Sequence, residues 1–184
     1  EFVSANPTGP LHVGHGRGAA YGDAISRILT AAGCIVEKEY YINDAGRQID
    51  ILTASVMFKL NKSNNDFFPQ NAYRGSYIED IATNIINDEK LEIKIDASIF
   101  LNLPKDPEEE IDELIAALKN SNKNEWLIIK DCSLKSILES IKSDLKDFKV
   151  EFDVWYKESS LGSLDDNKSK ISTSIKKLQD GGEA

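Results

Sequence analysis

The chain has two histidines, His12 and His15, three residues apart with Gly14 between them. They follow the loop Asn6-Pro7-Thr8-Gly9-Pro10, whose two prolines and glycine exclude regular structure. A helical pattern takes over from about Gly14. A turn feeding a helix N-terminus leaves backbone N–H groups without helical partners, and the helix dipole makes that end positive. Phosphate is favoured at such a place. Two imidazoles there can donate hydrogen bonds to phosphate oxygens, and Gly14 leaves room for a flat base or a ribose. The arrangement suits attack at the α-phosphorus of a nucleoside triphosphate, because charge building on the phosphoryl oxygens meets fixed donors. Other readings stay open at this point. His-x-x-His is half of a zinc site, although Cys34 and Cys132 lack the paired spacing that would complete one, so no metal site is expected. Two surface histidines without a chemical role fit the spacing as well. Gly14-His15-Gly16-Arg17-Gly18 is not a dinucleotide fingerprint, since its third glycine falls too early, and it lacks the Gly-Lys-Ser/Thr of a P-loop.

The elements that would hold this turn follow from periodicity. Glu1 to Ser4 reads as the end of a strand. Gly14 to Ala32 reads as a helix, with Ala20, Ala24, Ile28 and Leu29 on one face and Gly33 at its C-terminal cap. Ile35 to Ile42 reads as a strand by its β-branched and aromatic residues. Asn43-Asp44 is placed to cap a second helix carrying Ile49, Leu52, Val56 and Leu60. The order is a βαβα unit with a parallel sheet. The middle of the chain is mainly helical: 76–87, a helix led by Glu108-Glu109-Glu110 with the stripe Ile111, Leu114, Ile115 and Leu118, and a clear stripe from Leu134 to Phe148. Leu91, Ile93 and Ile95 fit strand or helix. Val150 to Tyr156 alternates as a strand, and Ile171, Ile175 and Leu178 mark a last helix. The fold class is α/β, with a helical insertion between the second and third strands.

Composition narrows the partners. In 184 residues, 41% hydrophobic and 29% charged is the balance of a globular protein, not of a disordered tail or a collagen. No stretch is long and apolar enough to span a membrane. Two cysteines are too few for a disulfide framework, which favours a reducing compartment, the cytoplasm. With 22 Lys and Arg against 31 Asp and Glu, the net charge is −9, which excludes wrapping nucleic acid by charge alone. The missing Met at the start and the turn-like Asp180-Gly181-Gly182-Glu183-Ala184 at the end suggest a fragment.

Four ordered segments carry a resemblance. Residues 1–17, from Glu1-Phe2-Val3-Ser4-Ala5-Asn6 to His12-Val13-Gly14-His15-Gly16-Arg17, closely resemble the signature of bacterial arginyl-tRNA synthetases. His12-Val13-Gly14-His15 is similar to the His-Ile-Gly-His motif of class I aminoacyl-tRNA synthetases. Tyr40 to Ile49, Tyr73-Arg74-Gly75-Ser76-Tyr77 and Phe152 to Leu161 follow in family order. The resemblance implies a partial Rossmann-like parallel sheet, with residues 1–60 as the first part of the catalytic domain, 61–147 as the insertion and 148–184 as the return. It implies activation of arginine by ATP with Mg2+ as the substrate complex, no tightly bound cofactor, and transfer to tRNA(Arg) by a monomer away from membranes. It places Pro10, His12, Gly14 and His15 at ATP, with His12 and His15 catalytic. It places Glu1, Ser4 and Asn6 at the arginine ammonium, where oxygen acceptors are the right chemistry. Asp44 and Gln48 are expected to line the site, Asp44 serving equally well as a helix cap.

The family's Lys-Met-Ser-Lys-type loop has no counterpart, since Lys168-Ser169-Lys170 comes too early and reads as a solvated helix start. The guanidinium readers and tRNA-holding domains are also outside the chain, so the piece is expected to be inactive alone. One alternative is another nucleotidyltransferase of the same superfamily. A second is a non-enzymatic module docking through the helical stripes at 111–118 and 134–148.

Overall fold

The computed structural model describes residues 1–3, 5–61, 67–163 and 165–182. Among them lie six α-helices and two strands, divided by packing into two units. Unit one holds Glu1–Asn6, Leu11–Ala45 and Asp144–Ala184; unit two holds Pro7–Pro10 and Gly46–Ser143.

In unit one, helix α1 spans Val13–Ala31 and stops where Gly33, just past the cap residue Ala32, takes φ +90°. Strand β1, Glu39–Ile42, pairs in parallel with β2, Val154–Lys157, with Tyr40 opposite Trp155. The sheet is therefore built from segments on either side of the long middle region, as the sequence predicts. Side chains reinforce the pairing: the Tyr40 and Trp155 rings stack at 4.5 Å, and Phe152 sits edge-on to both. Phe2 joins this cluster through Phe152 and lies on the Gly18–Gly22 side of α1. A Cβ at Gly22 would fall 2.0 Å from the Phe2 ring, so the two glycines are what let the opening segment touch the helix. Asp23, buried on α1, is held by Arg27 and Lys38. Helix α6, Lys170–Asp180, begins at Ser169, whose hydroxyl accepts from the Ser172 N–H. Ser169 is buried, so this helix start is not solvated throughout as expected.

Three local expectations are corrected. Residues 1–3 are not strand; Phe2 docks by its ring. The strand expected from Ile35 begins only at Glu39, because the Lys38 N–H is taken by the Asp153 carboxylate at 2.7 Å and Ile35 is fully exposed. Asp44 does not cap the second helix; Gly46, with φ +85°, precedes it.

Unit two is built on α2, Arg47–Leu60, where ten of 14 residues are buried. Its predicted stripe of Ile49, Leu52, Val56 and Leu60 lies wholly in the core. Buried Thr53 and Ser55 satisfy their hydroxyls on the carbonyls of Ile49 and Ile51. Helices α3, Ser76–Glu89, and α4, Pro107–Ser121, pack on α2. Asp106 caps α4 by accepting from the Glu108 and Glu109 N–H groups, and the three glutamates follow at the positive end. Helix α5, Lys123–Asp147, contributes Trp126, Ile129, Ile137 and Ile141. Leu91–Ile95 is neither a full strand nor a helix; Ile93 makes one isolated bridge with Asn61. No helix among the described residues is long and apolar enough to cross a membrane.

Candidate active site

His12 is the N-cap of α1, with extended backbone at φ −123°, ψ 173°. Its Nδ1 accepts from the Gly14 N–H at 3.1 Å, while the His12 N–H donates to Nδ1 of His15 at 3.3 Å. This is a capping box made from two imidazoles, whose rings stack with centroids 3.7 Å apart. Both Nδ1 lone pairs accept from amides, so in each neutral ring the proton is assigned to Nε2, which can donate to an incoming oxygen. Burial and the neighbouring His12 charge hold the His15 pKa below its usual value, which favours that neutral form.

Two expectations change here. The Gly14 amide is not left for phosphate; it is spent on His12. The space that Gly14 opens is filled by the His12 ring, since a Cβ there would lie 2.9 Å from Cε1. Beside His12 lies a mainly apolar hollow of about 210 Å³, lined by Leu11, Gly16, Asp144, Leu145 and Phe148 as well as His12 itself.

The other predicted residues separate into groups. Ser4 lies outside the described residues. Asn6 is exposed, and its side-chain oxygen accepts from the Asn43 amide. Glu1 is exposed and acts electrostatically on the Tyr40 and Tyr41 hydroxyls. The Tyr41 pKa is raised by desolvation, then by the charges of Glu158, Tyr156, Asp44 and Glu1. Asp44 is buried, and its two oxygens accept from the Ser159 N–H at 2.8 Å and hydroxyl at 2.7 Å, tying the end of β1 to the turn after β2. Pro10 and Gln48 are exposed and belong to unit two. Sequence reasoning gave no site role to Ser159, Tyr73 or Tyr77, and offered Asn43 only as part of a helix cap. Asn43 and Ser159 orient Asn6 and Asp44, and all four lie in segments carrying the family resemblance. Among the described residues, no cluster of three or more His, Cys, Asp or Glu could hold a metal ion.

A helix opened by His-x-Gly-His, set before a parallel pair interrupted by a helical insertion, is the layout of a class I synthetase catalytic domain. Residues 1–182 match the family of class I (R) tRNA synthetases, catalytic domain, and the chain belongs to it. Its relatives include the arginine–tRNA ligase of Vesicomyosocius okutanii, 46% identical over 194 aligned residues covering 99% of this chain and 32% of the relative. The arginine–tRNA ligase of Thioalkalivibrio sulfidiphilus is 44% identical, with the same coverage. A crystal structure assigned to an arginyl-tRNA synthetase of Campylobacter jejuni superposes with a TM-score of 0.69 at 30% identity, covering 97% of this chain and 33% of that one. The chain spans about a third of the length of the relatives it matches. The fold is a partial class I synthetase fold, and these matches favour the arginine-ligase resemblance over the wider nucleotidyltransferase alternative.

Proposed function

We propose that this chain is part of the catalytic domain of an arginine–tRNA ligase, with residues 1–60 and 148–184 forming the nucleotide-binding domain and 61–147 its insertion. In the first step an arginine carboxylate oxygen attacks the α-phosphorus of Mg-ATP. The bond from that phosphorus to the bridging oxygen breaks, and pyrophosphate leaves. In the second step a ribose hydroxyl of the terminal adenosine of tRNA(Arg) attacks the arginyl carbonyl, and AMP leaves.

The observation that carries this reading is the imidazole pair at the start of α1, joined to the family match. With both Nδ1 atoms engaged, the two Nε2–H groups are preset donors for phosphoryl oxygens that gain charge in the transition state. Pro10 is the remaining residue that the family resemblance assigns to ATP, while Gly14 serves the site by capping through His12. Glu1, Ser4 and Asn6 accept from the arginine ammonium, with Asn43 fixing the Asn6 amide. Gln48 lines the site, and Asp44 braces it through Ser159. The enzyme works as a cytoplasmic monomer. Arginine-dependent ATP–pyrophosphate exchange, measured on the complete ligase with tRNA present, tests the reading. His15→Ala should lower exchange by at least ~100-fold. Unchanged exchange would remove the role given to this imidazole.

A further inference from the structure

The loop Pro7–Pro10 packs within unit two, and two tyrosines hold it there. The Tyr77 hydroxyl donates to the Thr8 carbonyl at 2.9 Å. The Thr8 side chain also acts on the Tyr73 hydroxyl, partly offsetting the effect of burial on it. Gly9 lies flat against the Tyr77 ring, where a Cβ would sit 3.4 Å from the ring carbon bearing the hydroxyl. Gly75 makes room for the same ring from below, since a Cβ there would fall 2.3 Å from Cε1. The tyrosines are anchored in turn. The Tyr73 N–H donates to Ser55 Oγ at 2.8 Å, and Ser55 is fully buried on α2. Arg74 donates to the carbonyls of Phe68 and Pro69. Burial raises both tyrosine pKa values, so both hydroxyls keep their protons at neutral pH.

We propose that Tyr77, supported by Tyr73, is a positioning residue for the reaction: it fixes the Thr8-Gly9-Pro10 backbone so that Pro10 meets ATP in one conformation. The proposal rests on the functional reading above. Nothing in that reading uses the hydroxyl of Tyr77, and a packing role alone needs only its ring. A flexible loop would have to be ordered at each turnover, and a fixed one would not.

The test compares the complete ligase with its Tyr77→Phe and Gly75→Ala variants. Tyr77→Phe keeps the ring and removes one hydrogen bond. It should lower kcat for arginine-dependent pyrophosphate exchange about 3- to 10-fold while KM for arginine and the melting temperature stay unchanged. Hydrogen exchange in the peptide covering residues 6–11 should quicken by a similar factor. Gly75→Ala keeps the hydroxyl but displaces the ring, and should lower kcat and quicken loop exchange in the same way, with a lower melting temperature from the overlap. Unchanged kcat, with or without faster loop exchange, overturns the positioning role, as does a loss explained wholly by less folded enzyme. Absence of exchange activity in the unmutated ligase overturns the functional reading instead, and the loop amides then decide whether the clamp exists.

Discussion

Helices α1 and α2 are held by different physics. Of the 19 residues of α1 only Ala19, Gly22 and Asp23 are buried, whereas α2 buries ten of 14. Helix α1, which carries the imidazoles, depends on its cap, on the ion pairs of Asp23 and on Phe2, whose ring lies against Gly22 and whose carbonyl lies against Gly18. Helix α2 depends on excluded water. Burial gives α2 its stability, and it leaves α1 free to present polar atoms at its end. Within this chain, which spans about a third of its relatives' length, the face of α1 predicted to be apolar leaves Ile28 and Leu29 exposed.

The largest test of that contrast is a pair of truncations. Leu52→Ala in α2 should cost about 2–5 kcal/mol in urea unfolding, the usual range for a core leucine. Ile28→Ala in α1, at a mostly exposed position, should cost about 0.5 kcal/mol or less. Equal losses would erase the distinction. Next comes the phenol beneath the sheet. Burial pushes Tyr40 up to about 12, although its hydroxyl donates to the Ala5 carbonyl. Its folded pKa exceeds the ordinary value, so its contribution is complete below about pH 10 and is lost as pH rises towards 12. The shift corresponds to about 2–3 kcal/mol. Unfolding free energies measured at pH 8 and pH 11.5 should show this drop, reduced in Tyr40→Phe. The smallest effect belongs to the α1 cap. His12→Ala should cost about 1 kcal/mol, and His12→Asn should recover most of it while leaving catalysis impaired. Acid should mimic the loss. The His15 pKa is depressed in the fold, so its contribution is present above its ordinary value and falls as pH drops below it. The chemical shift of the His12 amide, which donates to Nδ1 of His15, would follow the change across pH 5 to 8.

Much of the fold was legible because it is local. Periodicity placed α1, α2, α4 and the second half of α5 from their own residues, while the start of α4 is set one step earlier than the glutamates suggest, by the Asp106 cap and Pro107. What escaped depends on distant partners. Asp44 looks like a helix cap, yet Ser159, 115 positions away, takes both of its oxygens. Phe2 looks like a strand residue and instead lays its ring on Gly22 and its carbonyl on Gly18. The site was legible as a motif but not as a geometry. Sequence placed His12 and His15 together, while only coordinates reveal that each occupies a backbone amide and that Gly14 clears space for a ring of the protein itself.

The parallel pairing of Glu39 with Val154 also sets a timetable for synthesis. At about 5–20 residues per second, β2 leaves the ribosome roughly 6 to 23 seconds after β1. Through that interval the first strand waits without its neighbour, while the intervening helices, whose contacts are closer in sequence, can already assemble. A nascent chain halted before Val154 would therefore carry a formed helical body and an unzipped Glu39–Ile42 segment, the stretch a chaperone would have most reason to shield.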